Sequence, residues 1–236
     1  MTLRIVSERQ SFADRRDAGR MLADQLETMD LEDPVALGIP RGGVVVAASV
    51  AEALSWPLDI CLVRKLGAPN NPELAIGSLL EGGDRYINDR IARSVGADRS
   101  YIEEEVWRQQ EVLSRRTERY RRVRPRLDLE GRTVVVLDDG IATGATMRAA
   151  VQGFSSVGYR ALVVAVPCAP RARIEDIAEL CDETLCLNAS RGFGAVSQFY
   201  REFGQVTDEE VLDILRSFGD CGHTNDRADR GPRAGG

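Results

Sequence analysis

A chain of 236 residues, 43% hydrophobic and 29% charged, is long enough to bury the core of one large α/β domain or two small ones. Its net charge of -6 disfavours broad electrostatic adhesion to nucleic acid, and its longest apolar runs are strand-sized, so no membrane span is expected. The charged N-terminus has no apolar signal-peptide core, and the five cysteines form no CxxC, which points to reduced thiols in a cytoplasmic protein.

In chain order, residues 11–29 read as a helix. Ser11 with Asp14 resembles a capping box, and Phe12, Ala18, Leu22, Leu26 and Met29 form an apolar stripe. Residues 34–39 are a short buried strand. Pro40-Arg41-Gly42-Gly43 follows, and residues 44–54 are apolar almost all round, as in a buried helix. Residues 58–63 make the next strand, with Arg64, Lys65, Leu66 and Gly67 at its end; Lys65 is the sole lysine among 31 basic residues. Residues 66–77 read as loop, and residues 75–80 and 85–87 as a hairpin across Glu-Gly-Gly. Residues 99–122 form a long helix with a stripe of Ile102, Val106, Leu113 and Tyr120. Glu104 with Arg108, Glu111 with Arg115 and Glu118 with Arg122 are its i,i+4 pairs. Strands at 133–137, 161–166 and 184–187 alternate with helices at 146–157 and 172–180. The tail from Gly219 to Gly236 is nearly free of apolar residues and is expected to be disordered.

Strands alternating with helices predict an α/β fold with a mainly parallel sheet flanked by helices. Ligands of such sheets bind beyond the carboxyl ends of the strands. Three polar, glycine-bearing loops lie there, at residues 40–43, 64–67 and 138–146. Ala142-Thr143-Gly144-Ala145-Thr146 combines small residues, two hydroxyls and a following helix, which suits a phosphate, although it is not a P-loop. Taken alone, this stretch and Pro40-Arg41-Gly42-Gly43 could be ordinary turns. Asp138 and Asp139 make the difference: two carboxylates at the end of a central strand cost desolvation and repel each other. Carboxylates are good acceptors for vicinal sugar hydroxyls and can help hold Mg²⁺.

The stretch VVVLDDGIATGAT resembles the signature of type I phosphoribosyltransferases, except that Gly140 stands where the family carries an aliphatic residue. The resemblance runs from about residue 12 to 215 through FADRRDAGRMLADQL, LGIPRGGVVVA, FGAVSQFY and TDEEVLDIL. It implies one domain over residues 1–218, with a small hood subdomain from residues 66–100 and 189–215. It implies that Asp138 and Asp139 bind the ribose hydroxyls of phosphoribosyl pyrophosphate (PRPP) and meet Mg²⁺ indirectly, as the substrate's ion. Ala142, Thr143, Gly144, Ala145 and Thr146 would hold the 5-phosphate. Arg41, Gly42 and Gly43, with Lys65 or its neighbour Arg64, would hold the pyrophosphate. Asp138, Asp139, Arg41 and Lys65 would carry catalysis, and the acceptor would be a nucleobase or related amine. Some 6-oxopurine enzymes of the family place an aspartate where Ala142 stands, so that chemistry is disfavoured. Phe193, between two glycines, is the candidate base contact, whereas Phe199 and Tyr200 read as core. The family also suggests a homo-oligomer.

Two features fit this picture less directly. Residues 115–126 hold seven arginines, a solvated, salt-bridged face by default and a nucleic-acid patch on the sharper reading. The latter would suit a PRPP- or nucleotide-responsive regulator rather than an enzyme. His223 beside Cys221 is a weak metal candidate with no second ligand pair.

Overall fold

The computed structural model describes residues 1–7 and 11–219. In chain order the elements are β1 (Thr2–Ser7), α1 (Arg15–Leu26), β2 (Pro34–Gly38), α2 (Gly42–Leu54), β3 (Leu58–Ile60), β4 (Val63–Ala68), β5 (Asn71–Leu80), β6 (Arg85–Ile87), α3 (Asp89–Ser94), α4 (Arg99–Arg121), β7 (Thr133–Leu137), α5 (Ala145–Gly153), β8 (Ala161–Pro170), α6 (Arg171–Ala178), β9 (Glu183–Ser190) and α7 (Asp208–Gly219). Six strands form one sheet in the order β1-β9-β8-β7-β2-β3, with every neighbouring pair parallel. A parallel sheet needs cover on both faces. Val135 and Leu137 of β7 pack with α1 and α2, while Val134 and Val136 pack on the opposite face with α5 and α6. A second, antiparallel sheet, β4-β5-β6, shares a separate core with α4 and α7.

The connections fix where a ligand fits. From β2 the sheet grows outward to β3; from β7 it grows the other way through β8 and β9 to β1. β2 and β7 are neighbours, with Gly38 opposite Leu137. The loops leaving them part in opposite directions, and a crevice opens between them at this switch point.

Several expectations shift. α1 begins at Arg15 with Asp14 as its N-cap, not at Ser11. The preceding residues are extended because Phe12 bridges Tyr200, donating from its N–H to the Phe199 carbonyl (2.8 Å). Residues 58–63 divide between two sheets. The run is apolar almost throughout, so no period-two mark shows where one sheet ends. Lys65 therefore lies inside β4, opposite Ser78. Residues 66–77, read as loop, form most of the β4–β5 hairpin, with register shifts around Gly67. Their breakers sit at a turn and an irregularity rather than throughout. Residues 75–80 and 85–87 pair as expected. On α4, Arg108 pairs with Glu105 (2.9 Å).

The arginine run is largely spoken for. Arg121 reaches inward to buried Asp59 (2.5 Å) and, through Nε, to buried Glu81 (2.9 Å). Arg119 bonds Asp208 (2.9 Å) and Glu209 of α7, Arg124 donates to the Phe218 carbonyl (2.7 Å), and Arg126 donates to the Glu81 carbonyl (3.3 Å). Four of the seven thus fasten the end of α4 to its surroundings: Arg119 and Arg126 lie in the expected salt-bridged face, whereas Arg121 reaches acids that are buried. Residues 220–236, with Cys221 and His223, lie outside the described residues. Among the described residues no helix is long and apolar enough to cross a membrane.

Candidate functional site

The crevice floor is the end of β7. Beyond Leu137 the chain turns up as Asp138-Asp139-Gly140, and the Asp139 N–H donates to Asp138 Oδ1 (2.9 Å). Burial, and then repulsion from Asp139, push the Asp138 carboxyl well above its usual range. Asp139 has a counter-charge that sequence reasoning missed. Arg15 Nε, from the first turn of α1, donates to Asp139 Oδ2 (2.7 Å). The same guanidinium lies 3.8 Å from the Phe203 ring centroid and donates to the Gly204 carbonyl (2.7 Å). Tyr200 donates from its hydroxyl to the Asp139 carbonyl (2.6 Å). Three distant segments therefore meet on one acid. Nothing in the spacing separates Arg15 from its neighbour Arg16, so the pairing is not readable from sequence.

Across the crevice, the peptide between Pro40 and Arg41 is cis, and α2 starts at Gly42. A Cβ on Gly42 would lie 1.8 Å from Asp139 Oδ2, and one on Gly43 would lie 2.8 Å from the Asp138 Cα. Both positions need glycine because the loop backbone lies directly against the acidic pair. Gly42→Ala is accordingly expected to displace the Asp139 carboxylate and loosen its Arg15 pair. Overpacking of this kind costs about 1–3 kcal/mol. Urea denaturation reads it; a midpoint equal to that of the unsubstituted chain would show the contact to be slack.

Gly140, the departure from the family signature, has a local reason. A Cβ there would meet Val196 Cγ1 at 2.7 Å and Cys168 Sγ at 2.8 Å. Val196 already fills the volume an aliphatic side chain would take.

The loop then runs through exposed Ala142 and Thr143 to Gly144, whose φ of 81° is left-handed. α5 follows with no side-chain cap; Thr143 Oγ1 accepts only a long bond from the Ala145 N–H (3.4 Å). The first-turn N–H groups of α5 and the exposed Thr146 hydroxyl are thus available to an anion.

Lys65, Pro40 and Thr146 line one cavity of about 290 Å³ between these loops and β4. Arg41 is exposed at the start of α2. Phe193 is half-buried and stacked on Phe199 (5.0 Å between centroids), so one ring face is occupied. Among the described residues no group of three or more His, Cys, Asp or Glu side chains gathers as metal ligands.

A family model described as a phosphoribosyl transferase domain matches residues 11–203. Rv0571c and MT0597 of Mycobacterium tuberculosis, both provisionally named phosphoribosyl transferases, are each 44% identical over 222 residues, 92% of this chain. The chain spans about half the length of these curated relatives (50%). The crystal structure of TT1426 from Thermus thermophilus superposes with a TM-score of 0.84 at 48% identity, covering 89% of this chain and 99% of that one. By this match and this fold, the chain belongs to the phosphoribosyl transferase domain family.

Proposed function

We propose that this chain binds Mg²⁺-PRPP and transfers its 5-phosphoribosyl group to a nitrogenous acceptor, releasing pyrophosphate. The observation that carries the reading is the pair Asp138 and Asp139, held against Gly42 and Gly43 at the sheet's switch point. The uncapped start of α5, with Ala142, Thr143, Gly144, Ala145 and Thr146, takes the 5-phosphate. The two acids accept hydrogen bonds from the uncharged 2- and 3-hydroxyls of the same sugar, so they face a different part of the ligand from the anion loop. Arg41, the backbone N–H groups of Gly42 and Gly43, and Lys65 receive the diphosphate.

In the reaction the bond from C1 to the diphosphate oxygen breaks, a C1–N bond forms, and the acceptor nitrogen loses a proton. Positive charge grows on the ribose ring and negative charge on the leaving group. The acids lie on the ribose side and the cations on the leaving-group side, so each sign of charge meets its complement. Mg²⁺ would come with the substrate, where Asp138 and Asp139 would meet it indirectly, and it would supply charge neutralisation of the diphosphate. The antiparallel sheet with residues 189–215 acts as the hood and keeps water from C1. The first strand of that sheet is Val63–Ala68. Ala142 offers no proton-relay group, which favours acceptors other than 6-oxopurines, and the remaining face of Phe193 can stack on a ring.

Incubation with Mg²⁺-PRPP and pooled nucleobases and amines tests the transfer. Pyrophosphate release with at least one acceptor is expected. PRPP binding without release from any acceptor would make the chain a PRPP-responsive regulator instead.

A further inference from the structure

The outer face of α4 has a symmetry that the proposed site does not use. Glu104, Glu111 and Glu118 stand seven residues apart, and so do Arg108, Arg115 and Arg122. All six are exposed. At 3.6 residues per turn they share about 80° of arc and about 27 Å of helix length. Their order suits i,i+4 pairing within the helix. That pairing does not close. Arg108 turns to Glu105 (2.9 Å), and among the described residues Glu104, Glu111, Arg115, Glu118 and Arg122 form no ion pair. Trp107, 64% exposed, and Val112 flank the stripe on its two sides. They are two of the five large apolar side chains left exposed among the described residues. Leu113 and Tyr120, on the opposite side of the helix, are buried.

The order of these charges fits a second copy of the same helix. A twofold axis crossing the stripe at the level of Leu113 carries position 104 onto 122, 108 onto 118 and 111 onto 115. Two antiparallel α4 helices therefore set each of these glutamates against an arginine of the other copy. Parallel helices in register would set like charge on like. Exposed ion pairs contribute little singly, so the charges fix register and direction, while covering Trp107 and Val112 adds apolar burial.

We propose that the outer face of α4 is the interface of a twofold homodimer, with α4 packed antiparallel on the α4 of a second copy. The inference goes beyond the phosphoribosyl-transfer reading and does not depend on it. It gives Arg115 and Arg122 of the arginine run the acidic partners that a single chain does not supply.

Sedimentation velocity of the full chain over a concentration series tests this. The unsubstituted chain is expected to form a dimer that weakens as salt is raised. Glu111→Arg and Arg115→Glu each bring like charges together twice across the axis, and each should raise the dimer dissociation constant about tenfold or more. Mixing the two variants in equal amounts should restore the dimer, because position 111 of one chain then opposes position 115 of the other with opposite sign. A chain carrying both substitutions should dimerise as well, for the same reason. Recovery on mixing also separates a lost interface from a lost fold. An unsubstituted chain that stays monomeric at every concentration overturns the interface, as does a dimer whose strength neither substitution changes.

Discussion

A chain carrying Asp138→Asn together with Asp139→Asn is expected to lose PRPP affinity by about 10² to 10⁴, at about 1.5–3 kcal/mol for each charged hydrogen bond removed. It should still fold. The substitutions are isosteric, and their effects on stability oppose each other. Asp138 is held with its carboxyl pushed upward by burial and by its acidic neighbour. The folded state therefore binds more protons than the unfolded state between the ordinary carboxylate pKa and the raised one. Stability from Asp138 is present at low pH, falls as pH rises through that window, and is gone above it. Asp138→Asn alone should consequently melt above the unsubstituted chain at neutral pH, and the difference should close as pH falls below about 4. Asp139→Asn acts in the other direction, since it removes the negative charge to which Arg15 Nε donates (2.7 Å). Thermal melts of the single variants across pH check both signs. A neutral-pH advantage of Asp138→Asn that persists unchanged in acid would contradict the assigned strain.

Arg121→Met is expected to cost about 3–5 kcal/mol, the penalty for leaving a buried ion group without its partner. Asp59 and Glu81 are both buried, and Arg121 is the cation the structure gives them. Asp59 also accepts from the Ile60 and Leu127 N–H groups (2.8 and 2.9 Å), so it cannot swing out to water without releasing the chain after α4. Arg121→Lys should lie between, because an ammonium keeps the charge but lacks the fork that reaches both acids. Adding Asp59→Asn and Glu81→Gln to Arg121→Met should recover part of the loss. Urea denaturation with an unchanged m-value reads these differences. A loss below about 1 kcal/mol for Arg121→Met would mean the network is solvated and structurally idle.

The parts of this molecule that were readable from sequence are those whose physics is local. β7 is an apolar run because both faces are covered, and Asp138 and Asp139 stand out because so buried a strand should not end in two acids. Gly42 and Gly43 announce a close approach, though not that Asp139 is what they approach. The parts that stayed hidden depend on distant partners. β1 is an edge strand with one pairing neighbour, β9, and its TLRIVS sequence carries too few apolar residues to mark it. The border between β3 and β4 lies inside an apolar run that serves two sheets. Arg15 and Arg121 look like any other arginines until the fold brings Asp139 to one and Asp59 with Glu81 to the other. The sole lysine stood out by composition, yet its placement on β4 beside Arg64 and Arg116 required the second sheet.

Calorimetric titration of the unsubstituted chain with Mg²⁺-PRPP tests the central claim most directly. Saturable binding at one site per chain, abolished in the Asp138→Asn, Asp139→Asn double variant, is the predicted result. Heats no different from dilution, in a chain shown by its melt to be folded, would contradict it.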